Sequence, residues 1–389
     1  MEQLTWTGSL GPVLNPLFLL AWAAFFVAVI VQIVASLVGL GAQAQGTTMT
    51  MQRSPGDWAG LAAKWLFALI VLLLLTYLVG GILMPTLEAK GIIGAMATRL
   101  LPVWISLIVL FALSITFKRR LGLYGKLFDS PIGMIGFAVV MFWVFTALYA
   151  DMVATHDPLS QISGMKNKVP GTPVSGAEEG AFPYYLLGGD NLARDVFSRM
   201  ILGSWEVIKI APFATLFAFM VGITLGVPAG YYGGTFDTIL SFLANLILAF
   251  PVILLFYLLV TPEIVLTGLP TYMAVFLFAF PLIFGVVLLN SRYHTQPKIR
   301  NWSVGIFLAI GGILYLSLIS SDSPGSKINI LPEWLDLFDV PGNILVVFVS
   351  VVFVNSPTVF RIVRGLVLDI RTRDYVAAAQ TRGEGAWYV

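Results

Sequence analysis

Apolar residues occur in long runs separated by short polar segments, and this spacing predicts membrane-spanning helices. A helix needs about 17–25 mainly apolar residues to cross roughly 30 Å of hydrocarbon. Such runs must be helical because lipid offers the backbone no other hydrogen-bond partner. We predict about nine spans, at residues 16–40, 65–84, 101–117, 132–154, 209–231, 238–260, 271–290, 302–320 and 342–362. The predicted fold class is all-α, a polytopic transmembrane helical bundle.

The composition supports a membrane protein. The 389 residues are 58% hydrophobic and 11% charged, with a mean hydropathy of +0.90, whereas soluble domains are about 25% charged. A net charge of +2 with scattered basic residues gives no support for a nucleic-acid partner. The chain has no Cys, which excludes disulfides and thiolate metal sites, and only two His, so no metal site is predicted.

Basic residues in short loops predict the orientation, because such loops stay in the cytoplasm. One basic group follows the third predicted span and another follows the seventh: Lys118, Arg119, Arg120 and Lys126, then Arg292, Lys298 and Arg300. Alternation of the spans then places the amino terminus outside and the carboxyl terminus inside. A cleaved signal peptide with Ala42–Ala44 as its cleavage site is the alternative for the first span. The acidic Glu2 and the length of the apolar run favour a span.

The longest soluble stretch, residues 155–208, is predicted to be external. We interpret residues 166–180 as an irregular loop. Further on, Asp195, Arg199 and Glu206 recur at helical spacing beside apolar residues, which predicts an amphipathic helix leading into the fifth span.

Small residues and a proline mark the fifth and sixth spans. Four glycines, each four residues apart, share one helix face and predict close helix packing: Gly222, Gly226, Gly230 and Gly234. In the sixth span Pro251 removes a backbone amide and predicts a kink. Together with Asn245 it is compatible with either bundle packing or a translocation path.

No nucleotide-binding motif is evident. The glycine-rich stretch at 39–46 follows a predicted helix and has the wrong glycine spacing for a dinucleotide fingerprint, and no phosphate-binding loop motif occurs. The chain is therefore not predicted to bind and hydrolyse ATP by itself, and no catalytic residue is predicted.

Four stretches between residues 130 and 389 carry a family resemblance, in a fixed order. They are SPIGMIGFAVVMFWVFTALYADMVATHDP, GGDNLARDVFSRMILGS, LGVPAGYYGGTFDTILSFLANLILAFP and VFRIVRGLVLDIRTRDYVAAAQTRGEGAWY. This part resembles the inner-membrane permease subunits of ABC-type dipeptide and oligopeptide importers, whose fold is that of type I ABC importers. The matching motif residues are Asp190, Arg194, Asp195, Arg199, Gly230, Tyr231, Gly233, Gly234 and Pro251. Gly189 and Ala193 depart from the motif.

The fourth stretch resembles the family's EAA coupling loop, here residues 364–389. In the family this loop forms a short cytoplasmic helix that docks on an ATPase subunit. The resemblance assigns this role to Arg373, Asp374, Tyr375, Ala378, Ala379, Arg382 and Gly383. We predict that Gly383 ends the helix in a left-handed conformation. Ala377 stands where the motif has Glu.

The resemblance also implies a domain plan and a set of partners. Residues 130–389 correspond to the permease core with an inserted helix pair at 261–340, and residues 1–129 add N-terminal transmembrane helices. The chain stops before the family's last two spans, so we expect a fragment of a split permease or an incomplete product. The implied setting is the bacterial cytoplasmic membrane. The implied partners are a second permease subunit, two ATPase subunits that hold ATP and Mg, and an extracytoplasmic binding protein that delivers peptide. No cofactor is expected on this chain.

Two other classes of function were weighed against the importer. A secondary transporter or channel would need ionisable groups in the middle of the membrane. The charges nearest the predicted spans lie at or near their ends: Asp151, Glu206, Lys209, Asp237 and Arg361. A membrane-embedded enzyme would need a catalytic constellation, and none is evident. The sequence therefore favours the importer subunit.

Overall fold

The structure is a computed structural model, and it describes residues 2–38, 55–174, 181–320 and 342–384. The candidate cleavage site, the glycine-rich stretch at 39–46 and residues 385–389 of the coupling loop lie outside the described residues. Contacts along the chain separate two compact units, Met1–Glu206 and Val207–Val389, which are described one at a time. The predicted boundary between residues 129 and 130 rested on the resemblance and stays a prediction.

The first unit contains seven helices and one two-stranded sheet among its described residues, before the long helix α8 begins. They are α1 Gly11–Leu37, α2 Pro55–Leu83, α3 Leu87–Arg99, α4 Leu101–Phe117, α5 Leu123–Lys126, α6 Pro131–Leu148, α7 Ala150–Val153, β1 Thr172–Pro173 and β2 Tyr184–Tyr185. Short 3-10 turns occur at Gly8–Leu10, Lys118–Arg120 and Leu127–Asp129.

Helix α8 spans Val196–Tyr232 and is followed by the helices of the second unit. They are α9 Gly234–Ala249, α10 Val252–Val260, α11 Pro262–Leu266, α12 Leu269–Arg292, α13 Pro297–Ser320, α14 Gly342–Arg371 and α15 Asp374–Thr381. The predicted helix leading into the fifth span is confirmed, because α8 runs without a break from Val196. Asp195, predicted on its polar face, precedes the helix and is buried.

Eight of the described helices are long and apolar enough to cross a membrane, or nine if the bent pair α9 and α10 counts as one span. This confirms the predicted all-α polytopic bundle. The sixth predicted span is not a continuous helix: α9 and α10 meet at 88°. Pro251 offers no amide, and Phe250 before it takes an extended conformation, with φ −79° and ψ 139°. The kink prediction was right, but the break is sharper than a single kinked span.

Helix α3 was not predicted, because its 13 residues are too few to cross a membrane. It packs into the core of the first unit, where Ile92 and Ala95 are buried, and it is hydrogen-bonded to the chain's own amino-terminal segment. The amides of Ile92 and Ile93 donate hydrogen bonds to the carbonyl oxygens of Thr5 and Trp6, at 2.9 and 3.1 Å. Gly91, at φ +64°, lets the helix bend there.

The external loop is more ordered than predicted. Thr172 and Pro173 pair antiparallel with Tyr185 and Tyr184, so the interpretation of residues 166–180 as irregular was wrong at these two positions. Residues 175–180 lie outside the described part of the chain.

In the second unit, the glycine face of α8 packs against α14. A Cβ on Gly222 would lie 2.5 Å from Val359 Cγ1, and one on Gly230 would lie 2.8 Å from Val367 Cβ. A Cβ on Gly226 would similarly approach Val363 at 3.0 Å. These glycines let the two helices approach closely, which confirms the packing prediction. Gly234 has nothing within 4 Å and lies outside the contact.

Candidate functional site

The second family stretch forms a tight turn around Asp190 just before α8. One carboxylate oxygen accepts hydrogen bonds from the backbone amides of Leu192 and Arg194, at 2.8 and 2.9 Å. The other oxygen accepts hydrogen bonds from Nε of Arg194, at 2.9 Å, and from Nη1 of Arg199. Burial alone would raise the pKa of Asp190, but these hydrogen bonds outweigh it and hold the pKa below its usual value. The predicted residues Asp190, Arg194 and Arg199 are thus brought together.

Ala193 shows why the family motif has glycine in this turn. Its φ is +62°, in the left-handed region that costs a residue with a Cβ about 1 kcal/mol or more. The turn keeps this conformation with alanine in place, held by hydrogen bonds from Asp190 and Arg194.

Asp195 is completely buried and caps the start of α8. Its oxygens accept hydrogen bonds from the amides of Phe197 and Ser198, at 3.2 and 3.3 Å, and from the hydroxyl of Ser198, at 2.6 Å. The hydroxyl of Thr155 donates to it at 2.8 Å. A carboxylate at this position satisfies free amides of the helix and interacts favourably with its positive end. Asp195 therefore ties the segment after α7 to the start of α8.

His156 completes this network and was missed by the sequence analysis. Its Nδ1 lies 3.1 Å from Asp195 Oδ2, and its Nε2 lies 2.9 Å from the carbonyl oxygen of Phe182. Desolvation raises the pKa of Asp195, but the hydrogen bonds from His156, Ser198 and Thr155 outweigh it and lower the pKa overall. Burial, with Asp195 and Asp190 nearby, raises the pKa of Tyr185 to about 12. The family stretch is a rigid scaffold element here.

The third and fourth family stretches meet at one end of the second unit, and we call this region the helix-end junction. It comprises the α8–α9 turn at residues 230–237, the end of α14 and helix α15. The turn is made by Gly233 and Gly234, both at φ +67°. The carboxylate of Asp237, in the first turn of α9, accepts two hydrogen bonds from the guanidinium of Arg364. One comes from Nη2 at 2.6 Å and the other from Nε. This bidentate pair joins α9 to α14.

Two further contacts close the helix-end junction. Gly230 packs against Val367 and the carbonyl oxygen of Arg364. Tyr231 approaches α15, its hydroxyl 3.5 Å from Gln380 Nε2. The predicted residues Gly230, Tyr231, Gly233 and Gly234 therefore belong to one region with the coupling segment. Pro251 does not, because it follows the opposite end of the 16-residue helix α9.

Helix α15 has the predicted position and the predicted end. Gly383 has φ +80° and donates to the carbonyl oxygen of Gln380 at 3.0 Å, while Glu384 donates to that of Ala379 at 3.2 Å. These two bonds form a Schellman motif, which needs a left-handed residue at Gly383. Arg382 Nε approaches the carbonyl oxygen of Ala378 at 3.3 Å.

Most of α15 faces away from the rest of the second unit. Val376 is its one buried described residue, whereas Tyr375 is 64% exposed and Ala378 is also exposed. Ala379 is half-buried. Before the helix, Arg373 pairs with Asp369 of α14 at 2.7 Å, and both side chains are largely exposed. Asp374 begins the helix, where a negative charge is favourable.

No group of three or more His, Asp or Glu side chains among residues 2–38, 55–174, 181–320 and 342–384 is arranged to hold a metal ion. The helix-end junction links the exposed helix α15 to α8 through Tyr231 and to the end of α14.

Comparison with known proteins relates part of the chain to peptide transport permeases. It is 33% identical over 122 residues to the dipeptide transport system permease protein DppC of Haemophilus influenzae, covering 31% of this chain and 40% of that protein. It is 42% identical over 77 residues to the glutathione transport system permease protein GsiD of Pectobacterium atrosepticum, covering 20% and 26%. The di/tripeptide transport system permease protein DppC of Pseudomonas aeruginosa is 33% identical over 120 residues, covering 31% and 38%.

The chain spans about two fifths or less of the length of these relatives. No protein-family model matches it, and no solved structure matches it. With its many apolar helices, this multi-pass membrane chain is similar, over the matched part, to the permease subunits of ABC-type dipeptide and oligopeptide transport systems.

Proposed function

We propose that this chain is a membrane-spanning subunit of an ATP-driven importer of short peptides. It would form half of a translocation path and transmit movement from separate ATPase subunits to that path. The observation that carries the proposal is the helix-end junction: two family stretches more than a hundred residues apart converge on one exposed short helix.

The contacts of the junction suit the transmission of force. The exposed side of α15 is free to dock on a partner, with the small side chains of Ala378 and Ala379 allowing a close approach. Its buried side is anchored by Val376, and residues 372–373 connect it directly to α14. A displacement of α15 would therefore move α14, and the Asp237–Arg364 pair would carry it to α9.

The remaining components follow from the resemblance. The relatives are named as transport permeases for dipeptides, di/tripeptides and glutathione, so the proposed substrates are short peptides. The proposed partners are a second permease, two ATPase subunits that carry ATP and Mg, and an extracytoplasmic binding protein. The helix-end junction would face the cytoplasm, and residues 155–195 the outside.

Cysteine labelling tests both the orientation and the docking, since the chain has no native Cys. Three exposed positions serve as reporters: Ser163→Cys, Thr295→Cys and Ala378→Cys. With a membrane-impermeant thiol reagent, Ser163→Cys should react in intact cells, and the other two only after permeabilisation. When the ATPase subunits are bound, labelling of Ala378→Cys should slow at least about fivefold, which corresponds to about 1 kcal/mol of protection.

Thr295→Cys is the matched control, because it lies on the same proposed side but outside α15 and should keep its rate. Labelling of Ala378→Cys in intact cells would contradict the orientation. An unchanged labelling rate of Ala378→Cys in the assembled complex would contradict the docking.

A further inference from the structure

A cavity of about 730 Å³ in the second unit lies beside the helix-end junction and shares Tyr231, Val367 and Val376 with it. It opens between the ends of α8, α12 and α14, beside the start of α13. Its wall is apolar along α8 from Ile223 and along α12 from Ile283. At 1.5 Å per residue, these walls extend about 14 Å along the helices from their ends.

The mouth of the cavity is basic. Arg300 and Arg371 line it together with His294, and no Asp or Glu is among its lining residues. Within the described residues Arg371 has no acidic partner, and the nearby Asp369 is engaged by Arg373 at 2.7 Å. Arg300 makes only a 3.3 Å hydrogen bond to the neutral amide of Asn301. Both guanidinium groups therefore keep an uncompensated positive charge.

A second, shallower cavity of about 470 Å³ adjoins the first on the α13 side. The two share Val287, Asn290 and Arg300. Two grooves with mainly apolar linings thus meet at the guanidinium of Arg300, near the ends of α8 and α12. The paired cavities therefore suit a ligand with one anionic head group and two apolar chains.

From this geometry we infer that the paired cavities bind an anionic phospholipid, with its phosphodiester between Arg300 and Arg371 and its acyl chains along α8, α12 and α13. Guanidinium groups bind phosphate oxygens in a bidentate manner, and basic pockets between transmembrane helices bind anionic head groups. A free phosphate would leave the apolar walls unexplained. A zwitterionic peptide would bring an ammonium group, for which the lining offers no carboxylate.

The test uses the purified chain in detergent, loaded with phosphatidylglycerol or phosphatidylcholine and analysed by native mass spectrometry. The wild-type protein should retain phosphatidylglycerol in preference to phosphatidylcholine. Arg300→Gln and Arg371→Gln should each lower that preference about fivefold, and the double variant about 25-fold. Arg292→Gln is the matched control: Arg292 lies over the Tyr293 ring at 5.9 Å, outside both cavity linings, and its loss should change nothing.

Val287→Trp separates a lipid from a free phosphate, because it fills the apolar wall and leaves both arginines in place. This substitution should abolish lipid retention. Inorganic phosphate at about 0.05 M should not displace lipid from the wild-type protein. Equal retention of the two lipids by the wild type would overturn the inference. So would unchanged retention in a double variant with wild-type thermal stability, or displacement by inorganic phosphate or by a dipeptide.

Discussion

Replacing Asp195 with alanine is expected to destabilise the folded external segment by about 3 kcal/mol or more, because each buried donor left without an acceptor costs about 1–3 kcal/mol. The carboxylate is completely buried and takes hydrogen bonds from Thr155, His156 and Ser198 and from the amide of Phe197. Without it, these buried donors lose their acceptor and α8 loses its cap. Hydrogen exchange of residues 155–174 and 181–204 should rise, and the thermal transition should fall.

The same substitution should change the acid sensitivity. The folded-state pKa of Asp195 lies below its ordinary value of 3.8. The carboxylate therefore contributes fully to folding stability above pH 3.8, and this contribution is lost as the pH falls through the folded-state pKa. The Asp195→Ala protein should therefore lack this part of the stability that the wild type loses in acid. Asp151→Ala, at an exposed position on α7, is the control and should behave like the wild type. Unchanged exchange in Asp195→Ala would contradict the scaffold role of the network.

Breaking the Asp237–Arg364 pair is expected to have the next largest effect. The two side chains are only 13% and 30% exposed, and they join α9 to α14 by two charge-assisted hydrogen bonds. Arg364→Ala or Asp237→Ala should each cost about 2–3 kcal/mol, somewhat less than a fully buried pair because both groups reach solvent. Thermal unfolding in detergent measures the loss.

A double-mutant cycle separates the pair from its surroundings. The double variant Asp237→Ala with Arg364→Ala should be less destabilised than the sum of the single variants, with a coupling of at least about 1 kcal/mol. Arg373→Ala provides the comparison: its partner Asp369 is 61% exposed, so its loss should cost little. Additive effects of the Asp237 and Arg364 substitutions would show that the pair does not join the helices.

The spans were predictable because a run of apolar residues has one stable form in lipid. Helix α15 was predictable for a similar local reason: residues 374–381 form helix readily, and Gly383 follows at the position that takes φ +80°. The glycine face of α8 was recognisable as a packing surface, but its partner was not. Only the folded chain places Val359, Val363 and Val367 opposite those glycines.

The remaining features depend on contacts between distant residues, which local patterns do not encode. Asp237 and Arg364 are 127 residues apart, and His156 and Asp195 are 39 apart. Each residue alone gives no sign of its partner. Helix α3 escaped prediction because it is too short to span a membrane, and its backbone bonds to Thr5 and Trp6 join distant residues. The 88° break at Pro251 escaped prediction because a proline fixes where a helix bends but not by how much.

Uptake of a labelled dipeptide tests the central claim most directly. Right-side-out vesicles carrying this chain and the proposed partner subunits would receive ATP inside and a protonophore to remove the proton gradient. We predict uptake that requires ATP and survives the protonophore. Ala378→Trp, a bulky substitution on the exposed side of α15, should reduce uptake about tenfold by disturbing a close contact with the ATPase. Thr295→Trp should leave it unchanged. Uptake that proceeds without ATP and collapses with the protonophore would contradict the account.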